Sequence, residues 1–577
     1  MSWNSSNLLA RTKRPARKLN INNRQRSDLV SSRLDQSEQA DGATPSITRP
    51  QLTDSPCWAG PLVFLLALAP ALAAIWVTPS FTTQDGPAHL YNAQIINSSF
   101  EHPPPFQEIY TVRWRPIPNW AGPFTLSAIV AVLPAWAADR IMTSLTLVAF
   151  GASILWLRWC VAGRRGMRVA ALLAALLAMN IAWLFGFTSF LLGACLFPIT
   201  LAVWWQSRER LNTRSIVALS ALLTLGYFCH LVSLGLTALG LVVLASAGPL
   251  PVGPGTYWQR RSSCLARTSA SFLPLIALGV YYLGLARQGG PMRPQWHPLM
   301  DPWSVANWTH RLGWVDPLTL ATKNGLPLTE RLNRWFFVFA PAVWAVAAWL
   351  LWIFARIAQW HARTRAATPT DASESVAQLV QRLDQPRSGS AGPPASRQGW
   401  MTLGAILLLV GFLGPDALGP AHGDYLPQRV ILLGLVALVP IFDLRLSGWV
   451  GPLSLASLLA AVAFQSTIVW DYALYCDRSA GQFIRARDAV GRNQRVVVVL
   501  VKSRGRFRAN PLLHAENWLG VDTRNVVWNN YETLHYYFPV QFQPGIDRPH
   551  PDELELVSLH ENSEQASERA RDWERIL

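Results

Sequence analysis

Apolar residues in this chain are gathered into runs of roughly 17 to 25, the length a helix needs to cross a hydrocarbon layer about 30 Å thick. Such runs lie near 61–78, 141–160, 169–185, 188–205, 270–286, 333–355 and 448–470, with shorter ones at 401–414 and 430–442. Of the 577 residues, 51% are hydrophobic and 15% charged, whereas soluble domains carry about a quarter charged residues. The expectation is an all-α polytopic membrane protein. Its polar segments are the places where chemistry can occur.

The formal charge of +16 comes almost wholly from arginine. Nucleic acid is not the implied partner. The arginines sit in the amino-terminal tail and in short loops between apolar runs, as the positive-inside rule expects. Residues 1–56 lack hydrophobic periodicity and read as a disordered basic cytoplasmic tail. The first run reads as a retained signal anchor, which puts loop 79–121 outside. The piece 120–137 is broken by Pro123 and Pro134. Laid along the outer surface as an interfacial helix, it leaves the Arg164, Arg165 and Arg168 cluster inside. The run 215–248 exceeds one span and holds His230 midway, so it reads as two spans with His230 at the outer turn. Alternation then gives a second outer loop at 287–331, a Ser/Ala/Pro/Gly-rich cytoplasmic linker at 366–398, and about eleven spans over 57–470. Residues 471–550 read as a small α/β extracytoplasmic domain, with a buried strand at 495–501. A charged helical tail fills 551–577. The expected location is the inner or plasma membrane, with the carboxyl terminus outside.

The six cysteines form no CxxC pair and most lie in or beside apolar runs, which points to neither a disulfide framework nor a metal cluster. There is no GxxxxGK[ST] phosphate loop, HExxH or GxSxG elbow. Nucleotide-driven chemistry and a serine-hydrolase elbow are therefore not expected.

Asp85 and His89 head the candidates. They open the polar loop after the first span, four residues apart, so a helix starting there puts them on one face. A carboxylate in a water-poor setting has its pKa raised, which suits a general base. A plainer reading stands beside this one: Asp85 caps a helix, Pro87 sits in its first turn, and His89 is merely polar. Arg113, Arg115, Arg293 and Arg429 fall outside, against the charge bias. Guanidinium groups grip phosphate oxygens, or simply pair with acids or headgroups. His230, His422 and Asp424 complete the set, being ionisable groups near the membrane. A divalent metal is left open, because DxxxH alone is a weak ligand signal.

The layout resembles the GT-C superfamily of polytopic glycosyltransferases, among them enzymes of the dolichyl-phosphate-mannose mannosyltransferase and lipid A aminoarabinose transferase type. The resemblance is carried by a first span followed by an outer loop opening on an acid. It also rests on the segment from Pro118-Asn-Trp through Leu126, Leu133-Pro, Ala138-Asp139-Arg140 and Leu157-Arg158 to Gly163-Arg164-Arg165. It implies an inverting transferase of the cell envelope, taking a sugar from a polyprenyl-phosphate donor to a lipid or glycan acceptor on the outer face. In that resemblance Asp85 matches the catalytic acid and Arg429 the arginine that meets donor phosphate. Asn119, Arg113, Arg115, Arg293, His230, His422 and Asp424 become candidates for substrate binding. Many members carry two adjacent acids, whereas here Gln84 precedes Asp85. A transporter or flippase of lipid-linked glycans and a non-catalytic scaffold with an outer binding domain are the alternatives. The first would show mid-span charges and inverted repeats, and no repeat is evident.

Overall fold

Pro70 interrupts the first apolar run without ending it: α1 spans Ala59–Val77 in the computed structural model. The structure describes residues 58–101, 106–164, 166–249, 255–287, 290, 292–296, 311, 394–419, 425–442, 450–500, 507 and 509–546. The expected tail 1–56, span 333–355, most of loop 287–331, nearly all of linker 366–398 and the segment 551–577 lie outside the described residues.

After α1 come α2 (Gly86–Ser98), α3 (Ala121–Val130), α4 (Ala135–Ala162), α5 (Met167–Ala178), α6 (Ile181–Phe185) and α7 (Thr188–Ser207). Then follow α8 (Thr213–Cys229), α9 (Leu231–Ala247), α10 (Tyr257–Ala270), α11 (Leu273–Ala286), α12 (Pro394–Leu413), α13 (Leu426–Leu438), α14 (Val450–Arg478) and α15 (Gly481–Val490). The protein is mostly helical. Among the described residues, five helical stretches are long and apolar enough to cross a membrane, or six if the bent pair α10–α11 is one span. Among the described residues, α8, α9 and the helices within 397–413 and 426–441, each expected to span, are apolar but only 10–17 residues long.

Local chemistry explains several boundaries. The ambiguous piece 120–137 resolves into α3, ten residues and too short to cross, then a break at Leu133-Pro134. Pro134 is extended (ψ 147°) and caps α4, which therefore starts earlier than 141. The expected span 270–286 is the second arm of a pair bent by 52°. His230 stands between α8 and α9, as the length of the run implied, with its Nδ1 accepting from the Val232 amide at 3.2 Å. Helix packing uses small residues: a Cβ at Gly151 of α4 would lie 2.3 Å from the Phe64 ring of α1, so only glycine permits this approach.

Residues 55–577 form one compact unit with two cores. The larger joins α1, α4, α5, α7, α9, α12, α13 and α14. The smaller joins α2 and loop 106–120 to the carboxyl-terminal segment, with Leu90, Tyr91, Phe106, Trp518, Val527 and Val540 all buried. Two short sheets stitch this layer. β1 (Tyr110–Val112) pairs antiparallel with β4 (Val540–Phe542), Tyr110 opposite Phe542. β2 (Arg495–Val496) pairs parallel with β3 (Val526–Val527). The expected strand 495–501 thus stops after two residues. Beyond it the Asn529 side chain substitutes for a ladder partner, accepting from the Val498 amide and donating to its carbonyl, both at 2.9 Å. Among the described residues, the sheet internal to the carboxyl-terminal segment is this two-residue β2–β3 pair. Its apolar side chains share a core with the first loop, and its polar ones build the site below.

Candidate functional site

The loop 78–85 is fixed from three sides. Phe81 is buried between Trp183 and Tyr472, with centroids 6.4 and 6.0 Å away. The Tyr472 hydroxyl donates to Thr82 O at 3.1 Å. The amides of Gln84 and Asp85 donate to Leu184 O and Phe185 O at 3.0 and 2.9 Å. From below, Arg140 donates to the carbonyls of Trp76, Thr78 and Pro79, locking the end of α1. Asp85 is therefore held by its backbone, and its side chain is free to do something else.

It does not cap the helix. Asp85 occupies the N-cap position of α2, with Pro87 in the first turn, yet its side chain makes no capping hydrogen bond. The carboxylate instead accepts from Gln84 Nε2 at 3.4 Å, faces Tyr531, and lies 3.9 Å from His514 Nε2. It is 6% exposed. Burial pushes its pKa up to about 6, against the pull of His89 and the Gln84 hydrogen bond.

His89 has a different task. Its Nε2 meets the carbonyl of Gly186 at 3.0 Å and its Nδ1 meets Glu532 Oε1 at 2.5 Å. A carbonyl oxygen can only accept, so Nε2 carries hydrogen. Burial opposes a positive charge on the ring, but Glu532, through its charge and its hydrogen bond, and Asp85 raise the pKa to about 9. His89 is thus a fixed imidazolium between two acids, an electrostatic anchor rather than a proton acceptor. Glu532 is fully buried. His514 is the opposite case: burial, then the charges of His89 and His535, lower its pKa to about 3, so it is neutral. It stacks on Tyr531 with centroids 4.0 Å apart and sits at φ 65°, a strained backbone for a non-glycine residue.

The second cluster lies across the 184–187 turn. Arg429 Nη1 meets His230 Nε2 at 3.0 Å, and its guanidinium lies over Phe187 and Phe190 at 4.9 and 5.1 Å. Phe185, Phe187, Tyr425, Gln428 and Asn180 complete a pocket around Arg429 enclosing about 310 Å³, part of it open to solvent. A neutral imidazole has one ring nitrogen able to accept. His230 faces two donors, the Val232 amide and Arg429, so they compete for it. The turn itself depends on Gly186, at φ 80°: a Cβ there would lie 2.4 Å from Thr83 Oγ1. Phe185 is the link between the clusters. Its carbonyl holds the Asp85 amide and its ring stacks on Tyr425 at 5.5 Å.

The structure brings together Asp85 and His89, and separately His230 and Arg429. Among the described residues, no contact joins Arg113 or Arg115 to either cluster. Arg113 is half-buried and Arg115 exposed, beside the β1 edge, where the Arg113 amide donates to Pro539 O at 2.8 Å. Asn119 is half-buried at φ 65°, with a carbonyl that accepts from Ser189. Arg293 is exposed, tied by its amide to Leu418 O. His422 and Asp424 lie outside the described residues. Among the described residues no group of three or more His, Cys, Asp or Glu is arranged to hold a metal ion. Sequence reasoning missed Glu532, His514 and Tyr531. Residues more than four hundred positions from Asp85 carry no spacing signal toward it. No family model, curated protein or solved structure matches this chain.

Proposed function

We propose that the chain is a membrane-embedded glycosyltransferase that moves a sugar from a polyprenyl-phosphate donor to an acceptor hydroxyl, with Asp85 as general base. The observation that carries this reading is Asp85 itself. A carboxylate at an N-cap that forgoes capping, is buried, and is kept near a pKa of about 6 has been tuned, and a helix start needs none of that. At neutral pH it is ionised and still basic enough to take a hydroxyl proton as the glycosidic bond forms.

The neighbouring groups support the same chemistry. His89 holds positive charge beside Asp85 and keeps the acid from rising further. Neutral His514, 3.9 Å from the carboxylate, can hydrogen-bond an incoming hydroxyl. Arg429, in an aromatic pocket one turn of chain away, suits a lipid phosphate. A phosphate oxygen accepting from Arg429 also ends the competition at His230, which then keeps the Val232 amide. In this scheme Asp85 takes the acceptor proton, the anomeric carbon exchanges phosphate oxygen for acceptor oxygen, and the lipid phosphate leaves against Arg429. Arg113, Arg115 and Asn119 are left as binding candidates for the lipid headgroup or acceptor rather than for the reacting atoms.

The test is complementation in the organism that carries the gene. Deletion should change the envelope glycan profile and wild type restore it. Asp85→Asn and Arg429→Gln, expressed at wild-type levels, should not restore it. Full restoration by Asp85→Asn removes Asp85 as the base.

A further inference from the structure

Gln84 has no part in the catalytic scheme, yet its side chain is fully engaged beside the base. Its backbone amide donates to Leu184 O, and the side chain, buried, reaches in two directions at once. The Asn510 amide donates to Gln84 Oε1 at 3.0 Å, and Gln84 Nε2 donates to Asp85 Oδ1 at 3.4 Å. Chemistry fixes the orientation of this amide. A backbone N–H can only donate, so the carbonyl end must face Asn510 and the NH2 end must face Asp85. Asn510 is itself held in a turn: its Oδ1 accepts from the Leu512 amide at 3.1 Å and its carbonyl from the Leu513 amide at 3.0 Å. A chain of hydrogen bonds therefore runs from the carboxyl-terminal segment through Gln84 to the carboxylate.

The local sequence explains why Asp85 yields to this pull. An N-cap side chain ordinarily bonds the amide of the second or third helical residue. In α2 the second is Pro87, which has no N–H. That leaves the Ala88 amide as the conventional partner, and the Asp85 side chain makes no capping bond. The carboxylate turns instead toward Gln84, Tyr531 and His514. Tyr531 and His514 belong to the carboxyl-terminal segment, and Gln84 is tied to that segment through Asn510.

We propose that Gln84 is a positioning residue for Asp85: its Nε2 hydrogen holds the carboxylate in the rotamer that faces the carboxyl-terminal segment, and the Asn510 amide keeps that hydrogen aimed. The catalytic meaning of this hold rests on the glycosyl-transfer reading, in which that rotamer meets the acceptor hydroxyl. Gln84 acts through Asp85 and not on the substrate. A hydrogen bond to the charged form of an acid favours ionisation, so Gln84 keeps ionised a base that burial works to protonate. The other groups facing the carboxylate are His89 of α2, Tyr472 of α14, and Tyr531, Glu532 and His514 of the carboxyl-terminal segment. A change at Gln84 leaves all of these in place.

The test reads the Asp85 proton directly, by pH-difference infrared spectroscopy of the full-length protein in lipid nanodiscs. A chelator is present, because two adjacent acids can hold a divalent cation. In each background the protonated-carboxyl band that Asp85→Asn removes is that of Asp85, and in wild type it should titrate at about pH 6. Gln84→Met keeps the length of the side chain without its donor. It should move the midpoint up by about one unit, the loss of one long hydrogen bond to a charged group. Gln84→Glu still accepts from the Asn510 amide but sets a like charge beside Asp85, and should move the midpoint at least as far. Helix content by circular dichroism checks that both variants fold. A midpoint that stays in place or falls in either variant overturns the positioning role. The band does not depend on turnover, so the two readings separate. Raised midpoints, alongside an Asp85→Asn that restores the host glycan profile, remove the transfer reading and leave the hold of Gln84 on Asp85 standing. Unmoved midpoints, alongside an Asp85→Asn that fails to restore the profile, do the reverse.

Discussion

Replacing Asp85 by asparagine should make the fold more stable as it removes the base. The carboxyl has its pKa raised from 3.8 to about 6 by burial, opposed in part by His89. A carboxyl whose folded pKa lies above its unfolded value ionises more easily when the chain unfolds. Its linkage contribution is therefore neutral below about pH 4, turns unfavourable between about pH 4 and 6, and stays constant above that. At about 1.4 kcal/mol per unit, a shift of about two units costs roughly 3 kcal/mol at pH 7. Asparagine mimics the protonated acid in shape and charge, and its Oδ1 can keep the bond from Gln84 Nε2. Equilibrium unfolding in mixed micelles, wild type against Asp85→Asn, at pH 4, 5, 6 and 7.5 isolates this term, because other titrations cancel in the difference. The variant should match wild type near pH 4 and exceed it by up to about 3 kcal/mol at pH 7.5. A variant less stable than wild type at pH 7.5, with the gap closing toward pH 4, would mean that the ionised acid is a structural partner of His89. The tuning argument would then fail.

Three further outcomes follow from the same geometry. Glu532→Gln removes the acid that raises the His89 pKa from 6.5 to about 9. The pair's stabilisation is present below about pH 6.5 and lost as pH rises through about 9. The variant should lose roughly 3 kcal/mol at neutral pH and show a flatter stability profile between pH 7 and 10 by denaturant titration. Gly186→Ala combines a backbone at φ 80° with a Cβ 2.4 Å from Thr83 Oγ1. It should cost more than about 1 kcal/mol, and Thr83→Ala should recover part of this in a double-mutant cycle. Asn92 and Asn530 exchange amide hydrogen bonds at 3.0 and 2.9 Å, both fully buried. Asn530→Ala should cost about 1–3 kcal/mol and raise protease sensitivity in the carboxyl-terminal segment.

Periodicity and length made the helices legible. The run 215–248 could not be one span, and His230 stands at its break. Thr188–Ser207 falls within two residues of its expected bounds. Proline punctuation separated α3 from α4, but the sequence does not say which side of Pro134 the long helix takes, since Ala135-Trp-Ala-Ala reads as part of either piece. Asp85 was legible as a helix start and as an acid at the head of a polar loop. What its side chain does was not, because capping depends on a rotamer that distant groups decide. Those groups, His514, Tyr531 and Glu532, come from a segment that read as a small α/β domain with a strand at 495–501. Apolar residues of that segment, among them Trp518, Val527 and Val540, share a core with Leu90, Tyr91 and Phe106, burying area that neither segment can bury alone.

The reading of Asp85 as the base of a transfer from a lipid-linked sugar is tested most directly by the donor itself. Lipid extracts of a deletion strain carrying wild type, Asp85→Asn or an empty vector can be compared by mass spectrometry for polyprenyl-phosphate-linked sugars. One such lipid should accumulate equally with Asp85→Asn and with the empty vector, and fall with wild type. Equal levels of every polyprenyl-phosphate sugar in all three strains would contradict it.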